Sequence, residues 1–337
     1  METETARGEL RTGASRRAMR AAVVAKPETA RVERMPIPDL GRDQVRVRIE
    51  GCGVCGSNLP TWEGREWFDY PLEPGAPGHE GWGTVDAVGD GVDEVEPGDR
   101  VAALSYHAFA EYDIVDRAAV VRLPEWLDGR PFPGEPLGCA MNVFRRSDIQ
   151  KDKTVAIIGI GFLGALLTQL ASSAGAHVIA ISRRPFSLEI ARAHGAEETI
   201  VMDDHQGIIE RVREITDGAL CERVIEAVGL QWPLDLAAEL TAERGRLVIA
   251  GYHQDGLRNV NMQLWNWRGI DVINAHERET AVYTSGIRDA IGAIERGELD
   301  PFPLFTHTLD ISSLGEALNL LRERPDGFVK ALIRTDS

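Results

Sequence analysis

The stretch TVAIIGIGFLGALLTQLASSAG, residues 154–175, constrains the fold of this chain more than any other. It opens with an unbroken apolar run, which reads as a strand covered on both faces. Three glycines follow, Gly159, Gly161 and Gly164, spaced as G-x-G-x-x-G. Apolar residues then recur at intervals of three and four, the period of a helix. A glycine-rich turn between a buried strand and a helix is the setting of a dinucleotide site. Its glycines permit a tight turn, close approach of a pyrophosphate, and helix–strand contact. The helix start adds N–H groups and positive potential for the phosphates. Glycines used only for packing are the competing reading.

The alternation continues downstream. HVIAIS is a strand and PFSLEIARAHGA a helix. IIERVREITDG is a helix, CERVIEAVG a strand, WPLDLAAELTAERG a helix, and RLVIAGY and GIDVINA are strands. Strands alternating with helices imply a doubly wound parallel sheet over residues 148–275. Phe162 and Leu163 inside the turn, and Val228 and Gly229 after the CERVIEAVG strand, are assigned to the same cofactor site. The second strand ends in Ser182, Arg183 and Arg184. A site for NAD commonly has a carboxylate there, accepting from the ribose. A hydroxyl and two guanidiniums suit a 2′-phosphate instead, so NADP(H) is favoured over NAD(H). A solvated helix start is the alternative for the two arginines.

The half before residue 148 has another character. AMRAAVV, ARVERMPIP, QVRVRIEG, GWGTVDAVG, DRVAAL, FAEYDIV and AAVVRLP are short apolar runs between breakers, which read as strands. The acidic turn DGVDEVEPGDR reads as a solvated loop. After residue 276 come two helical patterns, TSGIRDAIGAIERGEL and SSLGEALNLLRERP, and a final strand, FVKALIR. Residues 1–18 mix charges and small residues and are expected to form a mobile tail. Arg16-Arg17 precedes no apolar segment suited to an export signal, so a cytoplasmic protein is expected.

Totals exclude several classes. A net charge of −16 over 337 residues disfavours nucleic acid as a partner. No apolar run is long enough for a membrane span. Four cysteines are too few for a disulfide framework. Three segments of the β-rich half carry metal-ligand chemistry: GCGVCGSNLP with Cys55, PGAPGHEGWG with His79 and Glu80, and GEPLGCAMNV with Glu135 and Cys139. Thiolate, imidazole and carboxylate are the ligands of four-coordinate zinc.

In this order and spacing, CGVCGSN, GHEGWGTV, VEPGDRV, EPLGCAMNVF and GIGFLG resemble the medium-chain dehydrogenase/reductase superfamily, in its zinc-dependent alcohol and polyol dehydrogenase branch. The resemblance implies a GroES-like β-rich catalytic domain, residues 19–147 completed by 276–337, around an inserted Rossmann domain at 148–275. It implies one catalytic zinc, with Cys55 and His79 as ligands and Glu80 ligating directly or exchanging with water. Either Glu135 or Cys139 completes the set, and Cys139 as a buried apolar residue also remains open. It implies Ser57 as the hydroxyl that relays the proton while a hydride moves between substrate and nicotinamide. Cys52 matches no ligand position.

Three departures stand out. Asn58 replaces the aspartate that many relatives use to orient the ligand histidine; an amide still accepts from imidazole, but adds no charge. Pro60 replaces a histidine at the outer end of the relay, leaving ribose hydroxyls, water or a side chain such as Thr61 as the exit. The four-cysteine structural zinc lobe is missing, so a homodimer or homotetramer must form otherwise. Trp62, Trp67, Phe68 and Tyr70, with Arg65 and Glu66, suggest a ring-shaped polar substrate such as a sugar or cyclitol; packing of the loop on its own domain is the alternative. Tyr106, His107, Trp265 and Trp267 are candidates for the cleft or a subunit contact. The expected activity is interconversion of a small secondary alcohol and its ketone. The alternatives are epimerisation or elimination through transient oxidation, and a zinc-free reductase of enones or quinones.

Overall fold

The computed structural model describes residues 17–335. The tail expected at 1–18 lies almost wholly outside the described residues. An N-terminal hairpin, β1 (Ala18–Lys26) and β2 (Thr29–Pro36), precedes β3 (Gln44–Gly53), the short α1 (Leu59–Glu63), β4 (Glu80–Val88), β5 (Arg100–Leu104), β6 (Tyr112–Asp116) and β7 (Val120–Arg122). The long α2 (Gly134–Ser147) then leads into a regular alternation. It runs β8 (Thr154–Ile158), α3 (Phe162–Ser173), β9 (His177–Ser182), α4 (Pro185–Ala193), β10 (Glu198–Val201), α5 (His205–Ile215), β11 (Cys221–Glu226), α6 (Gln231–Leu240), β12 (Thr241–Ile249), α7 (Met262–Arg268) and β13 (Asp271–Asn274). The chain closes with α8 (Thr280–Glu295), β14 (Phe305–Asp310), α9 (Leu314–Glu323) and β15 (Lys330–Arg334).

These strands form two principal sheets. One has the order β10-β9-β8-β11-β12-β13 and is parallel throughout. That is the doubly wound order, with its switch point between β8 and β9's side and β11. Val155, Ile157, Val178 and Ala180 face one apolar cluster, and Ala156, Ile158, Ile179 and Ile181 face another. Alternate residues of a strand point to opposite faces, so a sheet covered on both sides requires the unbroken apolar runs seen in the sequence. The other sheet has the order β14-β15-β3-β4-β5-β7, with β6 also on β3. The C-terminal β15 runs antiparallel to β3, with Leu332 opposite Gly53 and Arg334 opposite Gly51. The end of the chain therefore returns to the first lobe. The fold is the expected GroES-like β-rich lobe with a Rossmann lobe.

The lobes share a core where α2 lies between them. Leu137, Ala140 and Val143 of α2 join Val155 and Leu166 of the parallel sheet's lobe and Ile287 and Ala290 of α8 in one buried cluster. Two glycines let α2 and α8 touch backbone to backbone. A Cβ on Gly286 would lie 2.7 Å from the Gly138 carbonyl oxygen, and one on Gly138 would lie 2.8 Å from the Tyr283 carbonyl oxygen.

Local differences from the sequence reading have physical causes. The helix expected over 232–245 stops at Leu240, and β12 begins at once. Thr241 turns back to donate to the Ala237 carbonyl at 2.7 Å, ending the helix with a β-branched residue. β10, β14 and α7 were not anticipated: β10 is a short edge strand without buried residues, and α7 buries none either. Elements that bury little leave little apolar period to read. Among the described residues, no helix is long and apolar enough to cross a membrane.

Because α2 and α8 meet without room for a side chain, Gly286→Val is expected to destabilise the protein by about 1–3 kcal/mol. Equilibrium urea unfolding beside wild type measures it.

Candidate metal and cofactor site

Three donors from two β-lobe segments converge. Ligand atoms of Cys55, His79 and Glu80 all lie within 4.8 Å of one another. Cys55 caps a single 3₁₀ turn, Gly56–Asn58, at the end of β3, and Glu80 begins β4 beside it. Asn58 ties the two segments together. Its Oδ1 accepts the Cys55 N–H at 2.9 Å, and its Nδ2 donates to the Pro77 carbonyl at 3.0 Å. The amide therefore does not accept from the imidazole as expected. His79 Nδ1 sits 2.9 Å from the Pro77 carbonyl oxygen, which orients the ring in place of a carboxylate. That leaves Nε2 toward the cluster, with Ser57 Oγ 3.3 Å away.

The next segment closes over this group. Cys139 on α2 directs its Sγ to Glu135 Oε1 at 3.2 Å, one helical turn away. Burial pushes the Glu135 carboxyl up, and the charge of His79 partly offsets this. Burial also pushes the Cys139 thiol well up, helped by the Glu135 charge. Tyr283 of α8, whose hydroxyl donates to the Glu277 carbonyl at 3.0 Å, interacts with Cys139 as well. Nothing in the chain around Tyr283 signals this role, because α8 is brought there by its contact with α2.

Glu80 is fully buried, and its partner lies 250 positions away in sequence. Lys330 of β15, itself 4% exposed, places Nζ 2.6 Å from both Glu80 oxygens. Its hydrogen-bond geometry is good toward Oε1 alone, so Oε2 is left without a hydrogen bond. Gly53 of β3 makes the room, since a Cβ there would fall 1.8 Å from Glu80 Oε2. Lys330 Nζ also lies 5.0 Å from the centre of the Phe162 ring. Phe162 thus faces the catalytic lobe with its side chain while its backbone opens α3 in the other lobe.

The donor set fits a divalent cation. Burial alone would lower the His79 pKa, but its hydrogen bond to Cys55 and the charges of Cys55, Glu135 and Glu80 push it up to about 10. An imidazole at which neighbouring thiolate and carboxylate charges outweigh burial marks a pocket rich in negative donors. Glu80 Oε2 has the Lys330 ammonium 2.6 Å away and makes no further hydrogen bond in that pocket. Sulfur, imidazole nitrogen and carboxylate oxygen together are a zinc set.

The glycine turn after β8 gives its three glycines distinct environments. Gly159 takes φ +96°, and a Cβ there would meet Val228 at 2.5 Å. A Cβ on Gly161 would meet nothing within 4 Å, so that glycine faces open space at the start of α3. A Cβ on Gly164 would strike the Gly159 carbonyl at 2.1 Å, so α3 and β8 are in contact. Leu163 packs against the shared core. Val228 and Gly229 are held by Glu226, a buried acid at the end of β11 that the sequence reading passed over. Its Oε1 accepts both of their N–H groups at 2.7 Å, and its Oε2 lies 2.9 Å from His253 Nε2. The signal was present as a carboxylate that closes the apolar end of β11, residues 224–226. Ser182 is buried at the end of β9 and Arg183 is exposed. Arg184 is already engaged, donating from Nη1 to the Phe328 carbonyl at 2.9 Å.

The aromatic loop divides. Trp62 is buried and donates to Asn319 Oδ1 of α9 at 3.0 Å, so it packs the loop on its own lobe. Trp67 is 60% exposed and touches Phe68. The Tyr70 hydroxyl is bound to the Thr61 carbonyl. Thr61 is buried with its hydroxyl donating to the Asn58 carbonyl at 2.6 Å, which removes it as the relay's exit. His107 pairs with Glu73 at 2.8 Å on an exposed surface, and Trp265 and Trp267 lie on α7. Cys52 is buried in β3 with Sγ toward the Gly53 carbonyl.

Residues 41–125 match the family of the alcohol dehydrogenase GroES-like domain, and residues 163–289 match the zinc-binding dehydrogenase family. The chain is 31% identical to galactitol 1-phosphate 5-dehydrogenase of Escherichia coli K12 over 261 residues, 67% of this chain and 73% of that protein. It is 25% identical to sorbitol dehydrogenase of Halalkalibacterium halodurans over 324 residues, 86% of this chain and 92% of that protein. Among solved structures, the NADP-bound structure of a candidate zinc-binding dehydrogenase of Sinorhizobium meliloti 1021 superposes with a TM-score of 0.81. It is 24% identical and covers 95% of this chain and 100% of its own.

Lys330→Met would leave Glu80 buried and unpaired. The expected cost is about 3–5 kcal/mol for the metal-free protein. The double variant Lys330→Met/Glu80→Gln should recover most of it, a coupling that a double-mutant cycle by urea unfolding measures.

Proposed function

The chain belongs to the medium-chain dehydrogenase/reductase superfamily, in its zinc-dependent alcohol and polyol dehydrogenase branch, and from that membership we propose that it interconverts a polyol-type secondary alcohol and its ketone. The observation that carries this reading is the convergence of Cys55, His79 and Glu80 within 4.8 Å, in the lobe opposite a G-x-G-x-x-G turn. A zinc-free enone reductase has no use for three such donors.

Cys55 and His79 would hold the metal, with Glu80 and Glu135 as the carboxylates near it. We take Glu135 rather than Cys139 as the further ligand. Cys139 is occupied as a hydrogen-bond donor to Glu135, and burial disfavours its thiolate. Its role is then to orient that carboxylate. Zinc bound there supplies a Lewis acid for the substrate oxygen, and the nicotinamide supplies or accepts the hydride. Ser57 lies beside His79 Nε2, in position to pass the substrate hydroxyl's proton outward. Pro60 and the engaged Thr61 leave the cofactor ribose or water as its next stop. Gly161, open at the start of α3, would receive the pyrophosphate on backbone N–H groups.

Two finer points follow from the same residues. The second strand of the parallel sheet ends without a carboxylate and with Arg183 exposed, which supports NADP(H) over NAD(H). One zinc per chain is proposed, since the sequence lacks the four-cysteine lobe. The α7 side carries an apolar surface: Leu257 is 100% exposed, Trp267 85% and Met262 52%, next to β13 at the sheet's edge. We propose that a second copy covers it, giving a homo-oligomer. Trp267→Glu should shift the mass in solution to the monomer by light scattering. A mass unchanged by that substitution would reject this face.

Zinc analysis of protein purified without chelator tests the main reading. Wild type should carry about one zinc per chain. Cys55→Ala and Glu135→Ala should each lose most of it, and Cys139→Ala should keep it. Wild type should reduce NADP⁺ with polyols, and Ser57→Ala should slow that by about 10²–10⁴-fold with its zinc intact. Wild type without zinc would overturn the proposal.

A further inference from the structure

Behind the metal-binding segments lies a buried acid that the proposed chemistry does not use. Asp113 stands on β6 in the inward register, in which Val115 is also buried. It is 6% exposed, and among the described residues it forms no ion pair. Burying a carboxylate without a cation costs stability. Both of its oxygens are used as acceptors: Oδ1 takes the Ile114 N–H at 2.7 Å, and Oδ2 takes the Ser105 hydroxyl. Burial and then the Glu80 charge push the Cys52 thiol well up, and the Asp113 charge adds to them, so this acid lies within electrostatic reach of β3 and β4.

Ser105 carries the contact on to the segment of a metal donor. In the ladder between β4 and β5, Glu80 stands opposite Leu104. Continuing that antiparallel register sets Ser105 opposite His79. The Ser105 oxygen accepts the His107 N–H at 3.0 Å, with the Gly78 carbonyl oxygen 3.5 Å away. The turn held in this way is laid against residues 75–78. The Ala108 N–H donates to the Gly78 carbonyl at 2.9 Å, and the Phe109 N–H to the Gly75 carbonyl at 3.1 Å. The two segments touch without slack. A Cβ on Gly75 would fall 2.1 Å from the His107 carbonyl oxygen, and one on Gly78 would fall 2.5 Å from the Phe109 nitrogen. Pro77 lies inside the clamped segment, and its carbonyl is what orients His79 Nδ1. With an amide rather than a carboxylate at Asn58, the imidazole depends on that backbone carbonyl, and so on whatever holds the backbone.

We propose that Asp113 and Ser105 are positioning residues for the metal site. The Asp113 carboxylate fixes the Ser105 hydroxyl, Ser105 holds the turn at His107, and that turn keeps the Pro77 carbonyl where His79 needs it. Neither residue touches the metal or the substrate. The inference rests on the reading of His79 as a zinc ligand, and adds to it a hydrogen-bonded support that begins on β6.

The readout is zinc affinity of the full chain, measured by competition with a colorimetric zinc chelator. Urea unfolding of the zinc-free protein serves as the control for stability. Ser105→Ala and Asp113→Ala should each weaken zinc by about 10- to 100-fold. The double variant should be no weaker than the worse single one, because both cut the same connection. Asp113→Asn, whose amide can still bond Ser105, should stay within about threefold of wild type. Ser105→Ala with wild-type affinity would overturn the proposal. So would losses that add in the double variant, or a fall in unfolding stability with zinc affinity unchanged, which is what a merely structural pair would give. Loss in Asp113→Asn equal to that in Asp113→Ala would mean that charge rather than position matters, and would also overturn it. Wild type that binds no zinc would defeat the zinc reading itself, whereas wild type that binds zinc beside unaffected variants defeats this proposal alone.

Discussion

A glutamate about a quarter of the way along the chain and a lysine near its end share a buried ion pair, and the donor site is arranged around that contact. Glu80 is fully enclosed, so without Lys330 its charge would face a low-dielectric interior at a cost of several kcal/mol. The pair exists only because β15 returns to lie against β3. Gly53 on β3 leaves the space for the carboxylate, and Phe162 at the start of α3 lies under the ammonium. One interaction thereby joins β4, the C-terminal β15 and the first turn of α3.

The elements around that pair divide the work. Asn58 locks the Cys55 and His79 segments by hydrogen bonds to their backbones, while the Pro77 carbonyl orients the imidazole. Glu135 and Cys139 approach from α2, which is held in place by close contact with α8. Glu226 fastens the loop after β11 against the glycine turn. Each donor group is thus held by neighbours already committed to other bonds, which is the preorganisation that metal and hydride chemistry need.

What could be read in the sequence follows from how local each signal is. The glycine turn was legible because strand, turn and helix are contiguous, and each glycine has the environment its position implied. Cys55, His79 and Glu80 were legible as motif fragments, and the fold brings them together. Lys330 and Tyr283 were not, because each reaches the site through pairing or packing with residues far away in sequence: 250 positions separate Lys330 from Glu80. Asn58 and Thr61 were identified, but their hydrogen-bond directions were not, since an amide or hydroxyl takes whatever partner the surrounding backbone offers. Trp62 was read as possible substrate contact, yet α9 covers it, and nothing within its loop could reveal that helix. Arg184 looked free beside Arg183, until the 324–328 segment claimed its guanidinium.

The central claim is a zinc held by one sulfur, one imidazole and carboxylate oxygen, with Cys139 acting only through Glu135. X-ray absorption at the zinc edge of the purified protein tests it most directly. The account predicts a single sulfur at about 2.3 Å, with nitrogen and oxygen neighbours at about 2.0–2.2 Å. The sulfur contribution should be the same in Cys139→Ala and absent in Cys55→Ala. Two sulfur neighbours, falling to one in Cys139→Ala, would contradict the account and make Cys139 a ligand.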